Sequence, residues 1–356
     1  MPIAESERLR DFGLHGFFLQ QLAPEELQGN GLARVIEVQR SLISVICADG
    51  ERGVSLAPVL QRGAPQARPT VGDWVVLNAG RDSVDRVLER KSLFKRAAAG
   101  KGDSIQPIAA NVDTVFIVSS CNEEFNESRL ERYLALCHES GAFPVLVLSK
   151  ADLVENAREF VGRAVTVQGD LAVEPVNAKD AAALDGLRRW ISPRATVALL
   201  GSSGVGKSTL LNALAGRDVA ATQGIRERDK KGRHTTSHRA LYRLPGGALI
   251  IDVPGMRELR VADVEDALAE VFDDIEEWAR RCKFADCEHD SEPGCAVKAA
   301  LADGSLDARR LANYRKLRRE NTRASATIAE RRAAEKSLAK RVEEGKWAKR
   351  RQGSDE

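Results

Sequence analysis

The segment from Gly201 to Ser208 has the residue types and spacing of a phosphate-binding P-loop: two glycines separated by four residues, then Lys and Ser. An apolar run at 196–200 predicts a buried strand before it, and a helix is expected from Ser208. Lys207 is expected to reach the terminal phosphates and the Ser208 hydroxyl to ligate Mg²⁺. The predicted nucleotide contacts are Gly201, Ser202, Ser203, Gly204, Val205, Gly206, Lys207, Ser208 and Thr209.

A Gly- and Ser-rich turn between a strand and a helix is the alternative interpretation of this segment. The complete pattern in a strand–loop–helix context favours a nucleotide site, because backbone N–H groups at such a helix start attract phosphate. The pattern alone does not distinguish ATP from GTP.

A second pattern, upstream of the P-loop, could select the base. The apolar run 145–148 predicts a strand that ends at Ser149-Lys150-Ala151-Asp152. A carboxylate such as that of Asp152 can accept two hydrogen bonds from the N1–H and N2–H₂ edge of guanine, and adenine has no such donor pair. The aliphatic part of Lys150 would lie along the purine face. A polar strand end with an N-capping Asp is the alternative.

Two further positions bear on base recognition. GTPases more often carry Asn or Thr where this chain has Ser149, so the bracing role of this shorter side chain is a weaker prediction than the role of Asp152. The segment Val176-Asn177-Ala178-Lys179 weakly matches a second guanine-contacting loop, in which a backbone N–H would reach the base O6. Asn177 and Ala178 are its predicted contacts.

Downstream of the P-loop, an apolar run ends in Asp252-Val253-Pro254-Gly255, an Asp-x-x-Gly pattern. Asp252 would hold Mg²⁺ through a water molecule, and the Gly255 N–H would contact the γ-phosphate. Thr235 and Thr236 precede this strand, and one of the two hydroxyls is expected to ligate Mg²⁺ when the γ-phosphate is present. The sequence does not choose between them.

Met256 follows the Asp-x-x-Gly pattern, where many GTPases have a glutamine that orients water. A thioether cannot orient water in that way. Slow intrinsic hydrolysis is therefore expected, with the missing group supplied by another residue or by a partner. His234 is a candidate for that group, and a solvated loop histidine is an equally good interpretation.

These patterns occur in the order base-reading loop, second base loop, P-loop, switch threonines, Asp-x-x-Gly. Ordinary GTPase domains place the base-reading loop after the P-loop, so this order predicts a circularly permuted GTPase domain. Such a chain can still form the same parallel sheet, because the strands can keep their places when the chain is opened elsewhere. The site would still form at the carboxyl ends of the strands.

A metal-site pattern follows. Cys282, Cys287, His289 and Cys295 give the spacing C-x₄-C-x-H-x₅-C. Three thiolates and an imidazole suit one closed, tetrahedral, structural Zn²⁺ site. Disulfides or buried thiols are the alternatives, and disulfides are disfavoured because the amino terminus has no apolar signal-peptide core. Cys47, Cys121 and Cys137 are interpreted as core thiols.

The amino-terminal part shows short alternating stretches with turn residues between them, which predict a small five-stranded barrel, most simply an OB fold. Such barrels often bind nucleic acid, and the alternative is a barrel used for protein contacts. Basic residues near 90–101 favour RNA mildly. The predicted strands are 32–38, 42–46, 53–56, 71–77 and 84–88.

Positive charge is concentrated at the carboxyl end. Residues 307–356 contain 16 Lys or Arg and 8 Asp or Glu, a net charge of +8, whereas the whole chain carries +2 and residues 1–306 therefore −6. The composition favours a long helix. Apolar residues are sparse, so this helix is expected to need a partner surface, for which phosphate backbone is the natural choice. A charged, frayed terminal helix is the alternative.

Composition and length indicate two or three domains, and no apolar run approaches the length of a membrane span. The expected fold class is multidomain α/β. Its parts are an N-terminal segment with an OB-fold barrel (1–103), a permuted GTPase domain (104–260) and a zinc-binding helical module with a basic helix (261–356). In residues 263–281, one helical face is expected to carry Val264, Leu268, Val271, Phe272, Ile275 and Trp278.

Barrel, permuted GTPase and Cys-Cys-His-Cys module, in that order, resemble the RsgA (YjeQ) family of bacterial small-subunit biogenesis GTPases. The most specific segments are 201–209, 232–236, 252–255 and 282–289. The resemblance implies a cytoplasmic, monomeric GTPase with no membrane association that acts in late maturation of the 30S ribosomal subunit. It also implies stimulation by that subunit, binding to its 16S rRNA and release of an assembly factor.

Two other functions are compatible with the same patterns. One is a permuted GTPase that serves another RNA particle or the large subunit. The other is a nucleotide-gated RNA clamp in which hydrolysis is incidental.

Overall fold

The computed structural model describes residues 6–39, 42–97, 105–180, 182–216, 239–252 and 264–324. The predicted switch residues His234, Thr235, Thr236 and Gly255 lie outside these ranges, as do Met256 and the tail beyond residue 324. The chain divides into two compact units, residues 1–98 with 104–259 and residues 99–103 with 260–356.

A five-stranded barrel forms the first part of the larger unit. Pairing of β1 with both β2 and β4, of β2 with β3, and of β5 with β3 and β4 closes the ladder. Alternating residues of these strands fill the interior. The predicted barrel is confirmed, and its strands are β1 Leu32–Val38, β2 Ile43–Cys47, β3 Gly50–Leu56, β4 Trp74–Leu77 and β5 Ser83–Val87.

Strand β4 is shorter than the sequence pattern predicts, because residues 70–73 form a turn. The Asp73 carboxylate accepts a hydrogen bond of 2.7 Å from the Thr70 N–H. Gly72 has a φ of +90°, and a Cβ there would lie 2.1 Å from the carbonyl oxygen of Ala110. Only glycine fits at this close approach.

Three short helices and their connections pack against the outer face of β1 and β4. They pack Leu9, Leu14, Phe18 and Leu22 against Trp74 and its neighbours. This small apolar cluster was not anticipated from the sequence. The helices are α1 Glu7–Asp11, α2 Gly16–Leu19 and α3 Pro24–Gln28; between β3 and β4 lie α4 Pro58–Arg62 and a 3₁₀ turn, Pro65–Ala67.

A hairpin, β6 Leu93–Ala97 with β7 Ile105–Ala110, leads into the second part of this unit, a six-stranded sheet. Its order is β10-β9-β8-β11-β13-β12; all neighbours are parallel except β12 with β13. Buried apolar runs form most of its parallel strands, as expected for a sheet covered on both faces. The strands are β8 Thr114–Ser120, β9 Phe143–Ser149, β10 Ala172–Val176, β11 Thr196–Leu200, β12 Arg239–Arg243 and β13 Leu249–Asp252.

Helices connect the parallel strands of this sheet, as the topology requires. They are α5 Glu127–Ser140, α6 Ala157–Val165, α7 Asp185–Arg188 and α8 Lys207–Ala215, with 3₁₀ turns at Ala151–Leu153 and Ala182–Leu184.

The barrel and the six-stranded sheet share a hydrogen-bonded ladder, since β1 also pairs with β12. Arg34, which also lies on β1, is only 2% exposed. Its guanidinium donates to the carbonyl oxygens of Phe12, Gly72 and Asn111 and, at 2.8 Å, to Thr196 Oγ1. Burial lowers the pKa of Arg34 to about 10, against the attraction of two nearby aspartates. A barrel residue thus holds the start of β11.

The smaller unit is helical. The face predicted within 263–281 is buried from Val264 to Ile275, whereas Trp278 is half-exposed. Phe272, with φ −113° and ψ 40°, interrupts the expected single helix. The helices are Glu265–Val271, Asp273–Ala279, Ala296–Ala302 and a fourth that covers residues 308–324.

The helix over 308–324 corrects one expectation. Its apolar residues do bury a stripe, with Leu311, Tyr314 and Leu317 at most 4% exposed. Arg310, 5% exposed, pairs with Asp274 at 2.8 Å. The need for a partner surface, inferred from sparse apolar residues, is therefore wrong for this part of the basic segment. Among the described residues, no helix is long and apolar enough to cross a bilayer.

Candidate nucleotide site and metal centre

The P-loop lies between β11 and α8, as the pattern predicts. The predicted strand at 196–200 coincides with β11, and α8 begins at Lys207 rather than Ser208. A Cβ on Gly201 would lie 2.3 Å from the carbonyl oxygen of Val118 in β8, and Gly206 has a φ of +94° where the helix starts. Both glycines are thus required by the backbone path.

Lys207 folds back over the loop. Its Nζ donates to the carbonyl oxygen of Gly201 at 2.8 Å and to that of Ser202. These contacts fix the ammonium group above the loop. Ser203, Gly204, Ser208 and Thr209 are exposed along its rim, so the loop presents polar groups to an incoming phosphate.

The predicted base-reading segment touches the P-loop directly. The Ser149 hydroxyl donates to the carbonyl oxygen of Val205 at 2.6 Å, and Lys150 Nζ donates to that of Gly204 at 2.9 Å. Lys150 adopts φ +58°, which turns the chain into the 3₁₀ turn that contains Ala151 and Asp152. The short Ser149 side chain thus reaches the P-loop, although the sequence made its bracing role a weaker prediction than the role of Asp152.

The two predicted base loops lie side by side. Strands β9 and β10 are parallel, and Val176 pairs with Ser149, so Asn177 and Ala178 follow β10 at the level where Lys150 follows β9. The Asn177 side chain accepts a hydrogen bond of 3.0 Å from the Lys179 N–H, which closes a tight turn. Asp152 is exposed.

Asp252 ends β13, the parallel neighbour of β11. Because parallel strands end at the same edge of a sheet, the Asp252 backbone lies on the edge that carries the P-loop. The remaining predicted switch residues fall outside the described ranges, and the structure does not test their roles.

One contact at the P-loop was not predicted. The Arg129 guanidinium, on α5, donates to Ser202 Oγ at 3.0 Å. Arg129 belongs to no recognised motif, and its position in the sequence, 73 residues before Ser202, gave no signal.

The four predicted metal ligands of the smaller unit converge. Their ligand atoms all lie within 4.8 Å of one another. Cys282 Sγ and Cys295 Sγ are 3.8 Å apart, and each is 3.6 Å from His289 Nδ1. A tetrahedral zinc ion with Zn–S bonds of about 2.3 Å places sulfurs about 3.8 Å apart. The set can thus hold one such ion, and the sulfur spacing is far too long for a disulfide.

Hydrogen bonds from residues other than the predicted ligands order the loop that carries them. The Glu292 carboxylate accepts hydrogen bonds from the N–H groups of Glu288, Asp290 and Ser291. Backbone hydrogen bonds of this kind lower the pKa of Glu292 to about 2. Arg315, on the helix over 308–324, donates to the carbonyl oxygen of His289. Burial lowers the pKa of His289, which favours the neutral imidazole that a metal requires.

The family model of the RsgA GTPase matches residues 87–262. A Small ribosomal subunit biogenesis GTPase RsgA 2 of Vibrio parahaemolyticus is 46% identical over 338 residues, which cover 95% of this chain and 92% of the relative. The chain belongs to the RsgA GTPase family. A family member from Mesorhizobium japonicum is 46% identical over 330 residues, 90% of this chain and 93% of its own.

Solved structures agree with this membership. The crystal structure of YjeQ from Thermotoga maritima matches with a TM-score of 0.59 at 25% identity over 81% of this chain and 97% of its own. The crystal structure of YloQ, described as a circularly permuted GTPase, has the same fold, with a TM-score of 0.55, 23% identity and coverage of 82% and 95%. As a member of the RsgA GTPase family, the protein is a GTP-hydrolysing enzyme.

Proposed function

We propose that the protein hydrolyses GTP at the P-loop of a circularly permuted GTPase domain and acts in late maturation of the 30S ribosomal subunit. The observation that carries this proposal is the pair of hydrogen bonds from Ser149 and Lys150 to the P-loop. They join the proposed base-reading segment to the P-loop, although the segment comes earlier in the chain. The names of the relatives, small ribosomal subunit biogenesis GTPases, support the 30S subunit as partner.

In this proposal the guanine edge is bound by Asp152, with Asn177 and Ala178 beside it. Lys207 and the backbone N–H groups of residues 203–208 bind the phosphates. Ser208, Asp252 and one of Thr235 and Thr236 would hold Mg²⁺, which offsets negative charge on the phosphates. The Gly255 N–H would contact the γ-phosphate.

Hydrolysis is slow without a partner in this proposal. Met256 cannot orient the attacking water, and His234 is the candidate within the chain. The 30S subunit would supply or order the missing group, in the way that partners complete other GTPase sites. Turnover would then be coupled to binding of 16S rRNA and to release of an assembly factor.

The proposed protein has three domains: an OB-fold barrel in residues 1–103, the GTPase domain in 104–260 and the metal module with its basic helix in 261–356. Cys282, Cys287, His289 and Cys295 would hold one structural zinc ion, which their spacing supports. The segment 307–356, with its net charge of +8, would contact phosphate backbone. The protein would act as a cytoplasmic monomer that does not bind membranes.

The experiment that tests this proposal compares GTP turnover by the protein alone, with purified 30S subunits and with purified 50S subunits. We expect 30S subunits to raise the turnover number more than about tenfold, and 50S subunits to have no comparable effect. Stimulation by 50S subunits alone would refute the 30S assignment. Nucleotide-dependent RNA binding without stimulation by either particle would favour the RNA clamp.

A further inference from the structure

We propose that Arg129 is a positioning residue for GTP hydrolysis, which acts through Ser202 on the P-loop lysine. Arg129 lies in none of the sequence patterns of a GTPase. The inference rests on the P-loop assignment made in the proposed function, and it concerns how the first half of that loop is held.

The two halves of the P-loop are held by different parts of the protein. Ser149 and Lys150 bind the carbonyl oxygens of Val205 and Gly204, in the second half. In the first half, the Ser202 side chain accepts a hydrogen bond from Arg129. Arg129 thus contacts this half from outside the loop.

Ser202 connects Arg129 with Lys207. Its hydroxyl accepts from the guanidinium, and its carbonyl oxygen accepts from Lys207 Nζ. A side chain fixed at Oγ restricts the orientation of the residue that carries it, and thereby the carbonyl group to which the ammonium is bound. Because a catalytic cation contributes most when it is already in place, this restriction favours productive nucleotide binding.

The position of Arg129 is itself well defined. It lies in the first turn of α5, where its N–H donates to Asn126 Oδ1 at 2.8 Å and completes the helix N-cap. Its charge is only loosely balanced: the nearest Glu124 oxygen is 3.6 Å away, and the two side chains are 39% and 60% exposed. Such an exposed pair contributes little, so the guanidinium remains available to Ser202.

The test is a double-mutant cycle with Arg129→Ala, Ser202→Ala and the double variant. The readouts are the dissociation constant of a fluorescent GDP analogue and the kcat and KM for GTP. We expect Arg129→Ala to weaken GDP binding about fivefold to tenfold, as for loss of a hydrogen bond from a charged donor. Addition of Ser202→Ala should cause no further loss, because both changes break the same connection.

Two further variants keep the cycle interpretable. Arg129→Lys retains a cationic donor and should restore most of the affinity. Arg158→Ala removes an exposed arginine from α6 and is the matched control for lost charge. Equal affinities of Arg129→Ala and Arg158→Ala would overturn the proposal. So would full additivity in the cycle, because Arg129 would then act on the nucleotide without Ser202.

Lys207→Ala separates this inference from the P-loop assignment. If that variant binds and hydrolyses GTP normally, the assignment itself fails. If it loses GTP binding while Arg129→Ala matches the control, the assignment stands and only the role of Arg129 is refuted.

Discussion

The P-loop lies at the end of a buried parallel sheet, whereas the metal ligands lie in a segment with almost no apolar core. Strands β8, β9 and β11, which surround the P-loop, are buried along nearly their whole length. Between residues 280 and 295, by contrast, the buried residues are Cys287, His289 and Cys295. The ligands themselves are the core of that segment.

The P-loop region and the metal segment differ in the source of their folding free energy. Burial of apolar surface holds the P-loop, and hydrogen bonds from Ser149, Lys150 and Arg129 refine it. The metal segment buries too little apolar surface to offset its conformational entropy. If the four residues hold zinc as proposed, ligation would supply its folding free energy. Loss of nucleotide should leave the P-loop region folded, whereas loss of the metal should unfold the metal segment.

The largest effect is expected from metal removal. Chelation, or Cys287→Ala, should unfold residues 280–295, since structural zinc contributes about 10–16 kcal/mol in comparable small sites. Hydrogen exchange of this segment should become fast, while exchange in β8, β9 and β11 stays slow. Cys137→Ala, at a buried cysteine of α5 outside the metal site, is the control. Unchanged protection after verified metal loss would show that the segment folds without metal.

Lys207→Ala should strongly weaken nucleotide binding without unfolding the sheet. Loss of a charged group that binds phosphate is expected to weaken GTP binding by about a hundredfold or more. The measurements are the GDP dissociation constant and the thermal midpoint of the nucleotide-free protein. A midpoint well below that of the unmutated protein would mean that the P-loop depends on Lys207 for its fold, contrary to the comparison.

Asp152→Asn should change the preferred base. The amide replaces one acceptor with a donor, so guanine loses a hydrogen bond and xanthine gains one. Binding of GTP should weaken about tenfold or more, and binding of xanthosine triphosphate should not weaken. Competition assays with GTP, ATP and xanthosine triphosphate measure this change. Equal competition by GTP and ATP in the unmutated protein would refute the base-reading role.

Ser149→Ala should have the smallest effect. It removes one hydrogen bond to the P-loop, worth about 1 kcal/mol, so GDP should bind about fivefold more weakly. Ser149→Thr keeps the hydroxyl and should bind GDP almost as well as the unmutated protein. If the alanine and threonine variants bind equally, the hydroxyl contact does not order the loop.

Local pattern predicted much of this fold. Strands β1 and β11 occur at the residues that the alternating and apolar runs indicated. A buried strand needs apolar residues at neighbouring positions, so its sequence shows a local pattern. The P-loop pattern and the Cys/His cluster were recognised for the same reason, since each has a short, characteristic spacing.

Contacts between distant residues left no such trace. The buried guanidinium of Arg34 binds Thr196, which is 162 residues away. The sequence also did not show which group the Ser149 hydroxyl binds, the carbonyl oxygen of Val205, 56 residues away. The buried stripe of the helix over 308–324 was missed because it includes Arg310 and Tyr314, which carry polar groups. In the fold these groups bind Asp274 and Glu276, so both side chains can be buried.

The ladder between β1 and β12 has a consequence for the integrity of the molecule. Glu37 and Val38 of the barrel pair with Ala240 and Arg239, at the outer edge of the nucleotide-binding sheet. Without the barrel, that edge would expose unpaired N–H and C=O groups to any other strand in solution, a known route to aggregation. Deletion of the barrel would thus cost solubility as well as any RNA contact, which favours retention of barrel and sheet as a single piece.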